Sequence, residues 1–192
     1  MKRTLTSALL LAVLAACSGG DVTLEIDVLS FLNDAGAGPD PNATYAYPVP
    51  PTGIVIQGID LIDDREFQLL DSIDDVTVVD EGELTYRVEA VNREGAGRAT
   101  LKIRLAATRE GLDDGASILP DIDLPLLPDS TTTAAGTVDL GSLVEIFAND
   151  SAWVRIETDL RVDPGDVVGD SLAGTLWLRR LDVRVVADED FF

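Results

Sequence analysis

Of the 192 residues, 35 are Asp or Glu and none is His, so any chemistry here must be built from carboxylates, hydroxyls and arginines. With no imidazole and a single thiol, the usual zinc, copper and haem ligand sets are missing. The serine–histidine and cysteine–histidine nucleophile systems are missing too. Hard-cation binding remains, because calcium takes six to eight oxygen ligands from carboxylates and carbonyls. Candidate ligands are Asp60, Asp63, Asp64 and Glu66, then Asp71, Asp74 and Asp75, then Asp113 and Asp114 with Asp121 and Asp123, and finally Asp163 with Asp166. None of these runs has the EF-hand spacing. In the first two, acids alternate with Leu61, Ile62 and Ile73, which suits turns at strand ends equally well. A glycosidase would need two carboxylates about 5 to 10 Å apart in a cleft, one of them desolvated. No pair stands out in so acidic a chain. The sequence therefore reads as non-enzymatic, requiring no cofactor and suiting at most calcium. A carboxylate-based glycan-binding or glycoside-hydrolysing domain and a calcium-dependent adhesion domain are the alternatives.

The one cysteine has its own chemistry. Met1-Lys2-Arg3 is followed by an apolar run from Leu5 to Leu14 and then by Leu14-Ala15-Ala16-Cys17. The run is too short for a helix across roughly 30 Å of hydrocarbon, but it has the length of an export-signal core. Leu14-Ala15-Ala16-Cys17 resembles the lipobox of bacterial lipoproteins. The resemblance covers about twenty residues and implies that residues 1–16 are removed and that Cys17, acylated, becomes the first residue of the mature chain. It implies two or three acyl chains, which anchor stably where a single chain does not. Ser18 rather than Asp follows the cysteine, and the family's sorting rule then favours the outer membrane over the inner. The expected protein is exported from the cytoplasm and lipid-anchored in the cell envelope.

Residues 17–20 form the lipidated cysteine and a linker, Ser18-Gly19-Gly20, whose extended reach is on the order of 10 to 14 Å. A single domain of residues 21–192 follows. Removing residues 1–16 takes away Lys2 and Arg3 and no acid, leaving 176 residues with a formal charge of −23. That charge repels nucleic acid and anionic polymers, and it attracts cations or a basic partner, such as another envelope protein. With no cysteine pair, the exported domain must be held by its core alone.

Period-two alternation dominates the chain. Val22, Leu24, Ile26 and Val28 alternate with Thr23, Glu25 and Asp27, the pattern of a strand with one buried face. Asn33 to Thr52, with five prolines, reads as a long loop. Ile54 to Ile62 reads as a strand whose phase slips at Gln57-Gly58, a bulge signature. Phe67 with Leu69, and Val76 to Val79, read as two short strands. Leu84, Tyr86, Val88 and Ala90, then Ala99 to Ala107 in the same alternation, predict a hairpin turning over Asn92 to Gly97. Its outer face would pair Arg87 and Glu89 with Lys102 and Arg104. Glu110 to Ala135 reads as a second long connection, and Ser142 with Glu145 resembles a capping box opening a short helix, with a strand as the competing reading. Val154 to Val162 and Ala173 to Ala187 are further strands, the last changing phase at Arg179-Arg180.

Seven or eight strands with at most one short helix predict an all-β fold, an antiparallel β-sandwich resembling immunoglobulin-like or late-embryogenesis-abundant-type (LEA-like) sandwiches. Tyr45 and Tyr47, beside the proline-rich stretch, are candidate binding residues for an exposed recognition surface or, alternatively, plugs for the open end of the sandwich. Trp153 and Trp177 fall within strand runs and read as core or rim packing. The terminal Phe191-Phe192 is of a kind that ends outer-membrane barrels, but aromatics are only 5% of residues and form no girdles.

Overall fold

The computed structural model describes residues 21–33, 41–68, 79–114, 119–149 and 151–188. The readings placed on residues 1–16, Cys17, the 17–20 linker, Leu69, Asp71, Asp74, Asp75, Val76 and the terminal phenylalanines lie outside them. Among the described residues nine strands form two antiparallel sheets around one core, so the chain is a β-sandwich.

The first sheet runs β1 (Asp21–Asp27), β9 (Ser171–Asp188), β4 (Val79–Glu94) and β7 (Ser130–Asp139), with β2 (Asn42–Pro48) sharing the β1 flank of β9. The second runs β3 (Ile54–Gln68), β8 (Ser151–Val162), β5 (Gly97–Ala106) and β6 (Ile122–Leu126). One short α-helix, α1 (Val28–Asn33), and 3₁₀ segments at Glu110–Asp113, Gly141–Ala148 and Pro164–Asp166 complete the described elements. β1 stops at Asp27 because its carboxylate accepts from Ser30 N at 3.2 Å while Ser30 Oγ donates back to Asp27 O at 2.8 Å, which turns the chain into α1.

The alternation is borne out in β8, where Ala152, Val154, Ile156, Leu160 and Val162 are all buried. Bulges fall where the phase slips. β3 loses register with β8 between Ile56 and Ile59, around Gly58 at φ +69°. β9 opposes Arg180 to Arg87 and Leu178 to Val88, so Arg179 is the extra residue. Leu176 and Leu178 before it, and Leu181, Val183 and Val185 after it, all reach the core.

The expected hairpin is absent. β4 and β5 belong to different sheets, and the chain crosses the sandwich between them. Gly95, at φ +72°, makes the crossing possible, since a Cβ there would lie 2.2 Å from Ser171 O. The predicted outer-face pairing fails with the hairpin. Glu89 instead meets Arg179 of β9 at 2.8 Å, Lys102 meets Asp159 of β8 at 2.7 Å and Arg104 meets Glu157 of β8 at 3.3 Å.

Both long connections also contain strands. β2 lies within the proline-rich stretch, β6 lies within residues 110–135 and β7 begins there, and each sits at a sheet margin. Pro48 ends β2 and Pro125 lies in β6, an edge strand, where a missing N–H disturbs no central ladder. Phe67 is the buried end of the long β3 rather than a separate strand. The expected helix near Ser142 is a 3₁₀ segment with Leu140 at its N-cap and no side-chain capping bond, so the capping box does not form.

Candidate functional site

The outer face of the second sheet gathers most of the described candidate acids. On β8, Arg155, Glu157 and Asp159 alternate with core residues and so share the solvent side, beside Lys102 and Arg104 of β5. The bulged β3 brings Asp60 and Asp64 alongside, and the 3₁₀ segment supplies Asp113.

Asp64 is the centre of this face. Its carboxylate, 8% exposed, accepts from Arg155 Nε on one oxygen and from Arg109 Nε at 2.8 Å on the other. Arg155 also donates to Asp113 Oδ1 at 2.7 Å. These hydrogen bonds, Arg155's first and then Arg109's, hold the Asp64 carboxyl well below the usual carboxylate range, at about 2. Asp159 binds Lys102 Nζ at 2.7 Å and the N–H of Gly58 at 3.1 Å, tying the β3 bulge to β8. Partial desolvation, and then the charges of Asp63 and Glu157, push exposed Asp60 upward.

Four of the acids that cluster in the sequence are thus engaged by arginines in space. Asp64 and Asp113 are held by Arg155, Asp123 lies 3.4 Å from Arg98 and accepts from Thr100 Oγ1 at 2.7 Å, and Asp163 lies 2.7 Å from Arg161. Asp63 spends one oxygen on the Asp64 N–H at 2.8 Å. Glu66 is exposed on β3. Among the described residues no group of three or more carboxylates converges on a point that could hold a metal ion.

The pairing has a pH signature. The folded pKa of Asp64 lies below its value of about 3.9 in an unfolded chain. Its contribution to stability is therefore complete above about pH 4 and is lost as pH falls towards 2. Asp64→Asn is expected to lower stability at pH 7 by about 1 to 2 kcal/mol. In urea titrations the gap between variant and wild type should close as pH falls from 4 to 2; a gap independent of pH would refute the assignment.

The aromatic candidates do not form a surface. Tyr45 is buried at 1% exposure, its hydroxyl donating to Asn92 Oδ1 at 2.9 Å, and burial pushes its phenol upward. Tyr47 is half-buried against the core. Both pack with the core rather than standing free on a loop. Trp153 and Trp177 occupy the outer faces of different sheets and line no common groove. The Arg179 guanidinium lies 4.5 Å from the centroid of the Trp177 ring while bonding Glu89 at 2.8 Å.

Two shallow recesses mark the first sheet. One of about 390 Å³ is lined by Glu81, Gly82, Glu83, Asp139 and Gly141, where β4 and β7 meet the 3₁₀ segment. The other, about 340 Å³, crosses the outer face from Glu25 and Asp27 of β1 over Arg180, Asp182 and Arg184 of β9 to Glu83 and Thr85 of β4. Nothing in the sequence pointed to the first, because its acids come from strands nearly 60 residues apart.

No family model matches the chain. No curated protein matches it either. Among solved structures it is similar to a chain in the structure of infectious bursal disease virus Gt strain, at 10% identity and a TM-score of 0.42, covering 100% of this chain and 38% of that one. It is also similar to dimeric latent PorU from Porphyromonas gingivalis, at 8% identity and a TM-score of 0.31, covering 78% of this chain and 13% of that one. The chain thus spans well under half the length of either.

Proposed function

We propose that this chain is a lipid-anchored protein of the bacterial cell envelope, exported and held through acylated Cys17. Its β-sandwich serves there as a non-enzymatic structural or protein-binding module, with the outer membrane favoured over the inner. The observation that carries the reading is where the fold begins. β1 pairs with β9 from Asp21 onward, only three linker residues after Cys17. A lipid on that cysteine would hold the margin of the first sheet within on the order of 10 to 14 Å of the headgroups. The strongly anionic body would then present its far surfaces to other envelope proteins rather than to nucleic acid.

The engagement of Asp64, Asp113, Asp123 and Asp163 by arginines favours a structural use of the acids over a calcium-dependent one. The separation of the two tryptophans onto different sheets favours protein binding over a glycan groove. Metabolic labelling with an alkyne fatty acid tests the anchor. The wild-type chain is expected to take up label and Cys17→Ser to lose it completely. An unlabelled wild type, or equal labelling of the variant, would overturn the reading.

A further inference from the structure

β7 differs from every other strand at a sheet margin. β1 carries Glu25 and Asp27, and β2 is short and fenced by Pro41 and Pro48. β3 is broken by three register shifts and carries Asp60, Asp63, Asp64, Arg65 and Glu66. β6 has five residues, among them Asp123 and Pro125. Each of these devices discourages another chain from adding to a sheet. β7 has none of them. Its ten residues pair with β4 in unbroken register, include no proline, and carry no charge from Ser130 to Val138. None of the ten is fully buried, in contrast to β8, and among the described residues no strand other than β4 pairs with it. Alternate N–H and C=O groups of an antiparallel edge strand point away from its one partner, ready for a further strand.

The two ends of this edge differ. At the Asp139 end lies the recess of about 390 Å³, lined by Glu81, by Glu83, which lies 3.8 Å from Arg184, and by Asp139, which accepts from the Gly141 N–H at 2.8 Å, so that Glu81 is the acid with most to offer an added cation. At the other, three residues before Ser130, Leu127 is 55% exposed, followed by exposed Pro128 and Asp129. A second copy of the chain would bring a body of formal charge −21 with the same acidic recess against it, so self-pairing is opposed electrostatically. A partner strand with a cation at one end and an apolar side chain at the other is complementary to both.

We propose that β7 is the docking edge of the module, receiving an extended segment of a partner protein as an added antiparallel strand. The segment is uncharged along its length, places a Lys or Arg in the Glu81–Glu83–Asp139 recess and covers Leu127 with an apolar residue. Main-chain bonds supply binding, and the recess sets polarity and selectivity. This inference rests on the reading of the sandwich as a protein-binding module and names its surface and the chemistry of its partner.

The test uses the full chain in mild detergent and a ten-residue peptide of alternating valine and threonine, with lysine at its N-terminus and leucine at its C-terminus. Antiparallel addition puts that lysine beside Asp139. Amide exchange across residues 130–139 is expected to slow at least tenfold on saturation. Replacing the peptide lysine by glutamate should weaken binding at least tenfold, N-methylation of alternate peptide amides should abolish it, and Glu81→Lys should narrow the lysine-over-glutamate preference. Unchanged exchange in β7 with every peptide would overturn the proposal, as would equal affinity for the two peptides. Protection of β7 that rises with protein concentration alone would also overturn it, assigning the edge to self-association. The fatty-acid label on Cys17 is read separately, so a failed peptide with an intact label sinks the edge and leaves the tether standing.

Discussion

Deleting Arg179 is expected to leave a chain that does not fold, whereas Arg179→Ala folds. Arg179 is the bulge residue of β9, and Leu181, Val183 and Val185 beyond it reach the core only because one extra residue has reversed the alternation. If pairing with β4 is kept before the deletion, Leu181, Val183 and Val185, all at 0 to 1% exposure, turn to the outer face. If it is kept after, Leu172, Leu176 and Leu178, each at 0%, turn outward instead. A fully buried aliphatic side chain is worth roughly 1.5 to 3 kcal/mol, so three are worth about 4.5 to 9 kcal/mol, comparable with the whole stability of many domains. Arg179→Ala keeps the residue count and loses the contacts with Trp177 and Glu89, a cost of about 1 kcal/mol. Far-UV circular dichroism and urea unfolding of the two variants distinguish them. A deletion variant within about 2 kcal/mol of wild type would show that β9 tolerates either phase.

Asn92→Ala is expected to be the most destabilising single substitution of a polar residue, at about 3 to 5 kcal/mol. Asn92 is 2% exposed and its side chain is fully engaged at the point where three connections meet. Oδ1 accepts from the Tyr45 hydroxyl of β2 at 2.9 Å, and Nδ2 donates to Gly95 O at 2.7 Å and to Leu127 O at 3.0 Å. It thus clasps the edge strand β2, the crossing from β4 to β5 and the turn from β6 to β7. Truncation leaves a buried hydroxyl and two carbonyls without this partner, at about 1 to 3 kcal/mol for each group that finds no other. The site has no slack. A Cβ on Gly174, which pairs with Tyr45, would lie 2.5 Å from both Tyr45 Oη and Val91 O, so the ring has its place only because residue 174 is glycine. Tyr45→Phe should cost less, about 1 to 2 kcal/mol, because the two donor bonds survive. The double variant should fall short of the sum of the singles, since both remove the same bond. Strict additivity in urea unfolding would show that the bond contributes nothing.

What the sequence determined by itself was the burial of its strands. Apolar residues two apart in β8 and β9 must face one side, and a slip in that phase must become a bulge, as at Gly58 and Arg179. That is local geometry, and it made the all-β class legible without knowledge of any neighbour. The same alternation is blind to partners, because an inward face looks alike whether the next strand lies beside it or across the core. Hence β4 and β5 read as a hairpin although they face each other from opposite sheets, and Asn92, in line as an ordinary turn residue, gave no sign of the clasp it makes. Strands at the margins were hidden for a related reason. β2 and β6 tolerate proline, and β7 needs few large apolar residues, since none of these has a ladder on both sides. Acid clustering along the chain was likewise a poor guide to a site, because Arg155 comes 91 residues after the Asp64 it neutralises. Only the tertiary structure decided which charges pair across strands, as Glu83 does with Arg184, and that Glu81, Glu83 and Asp139 come together at one end of β7, because electrostatics acts through distance in space and not along the chain.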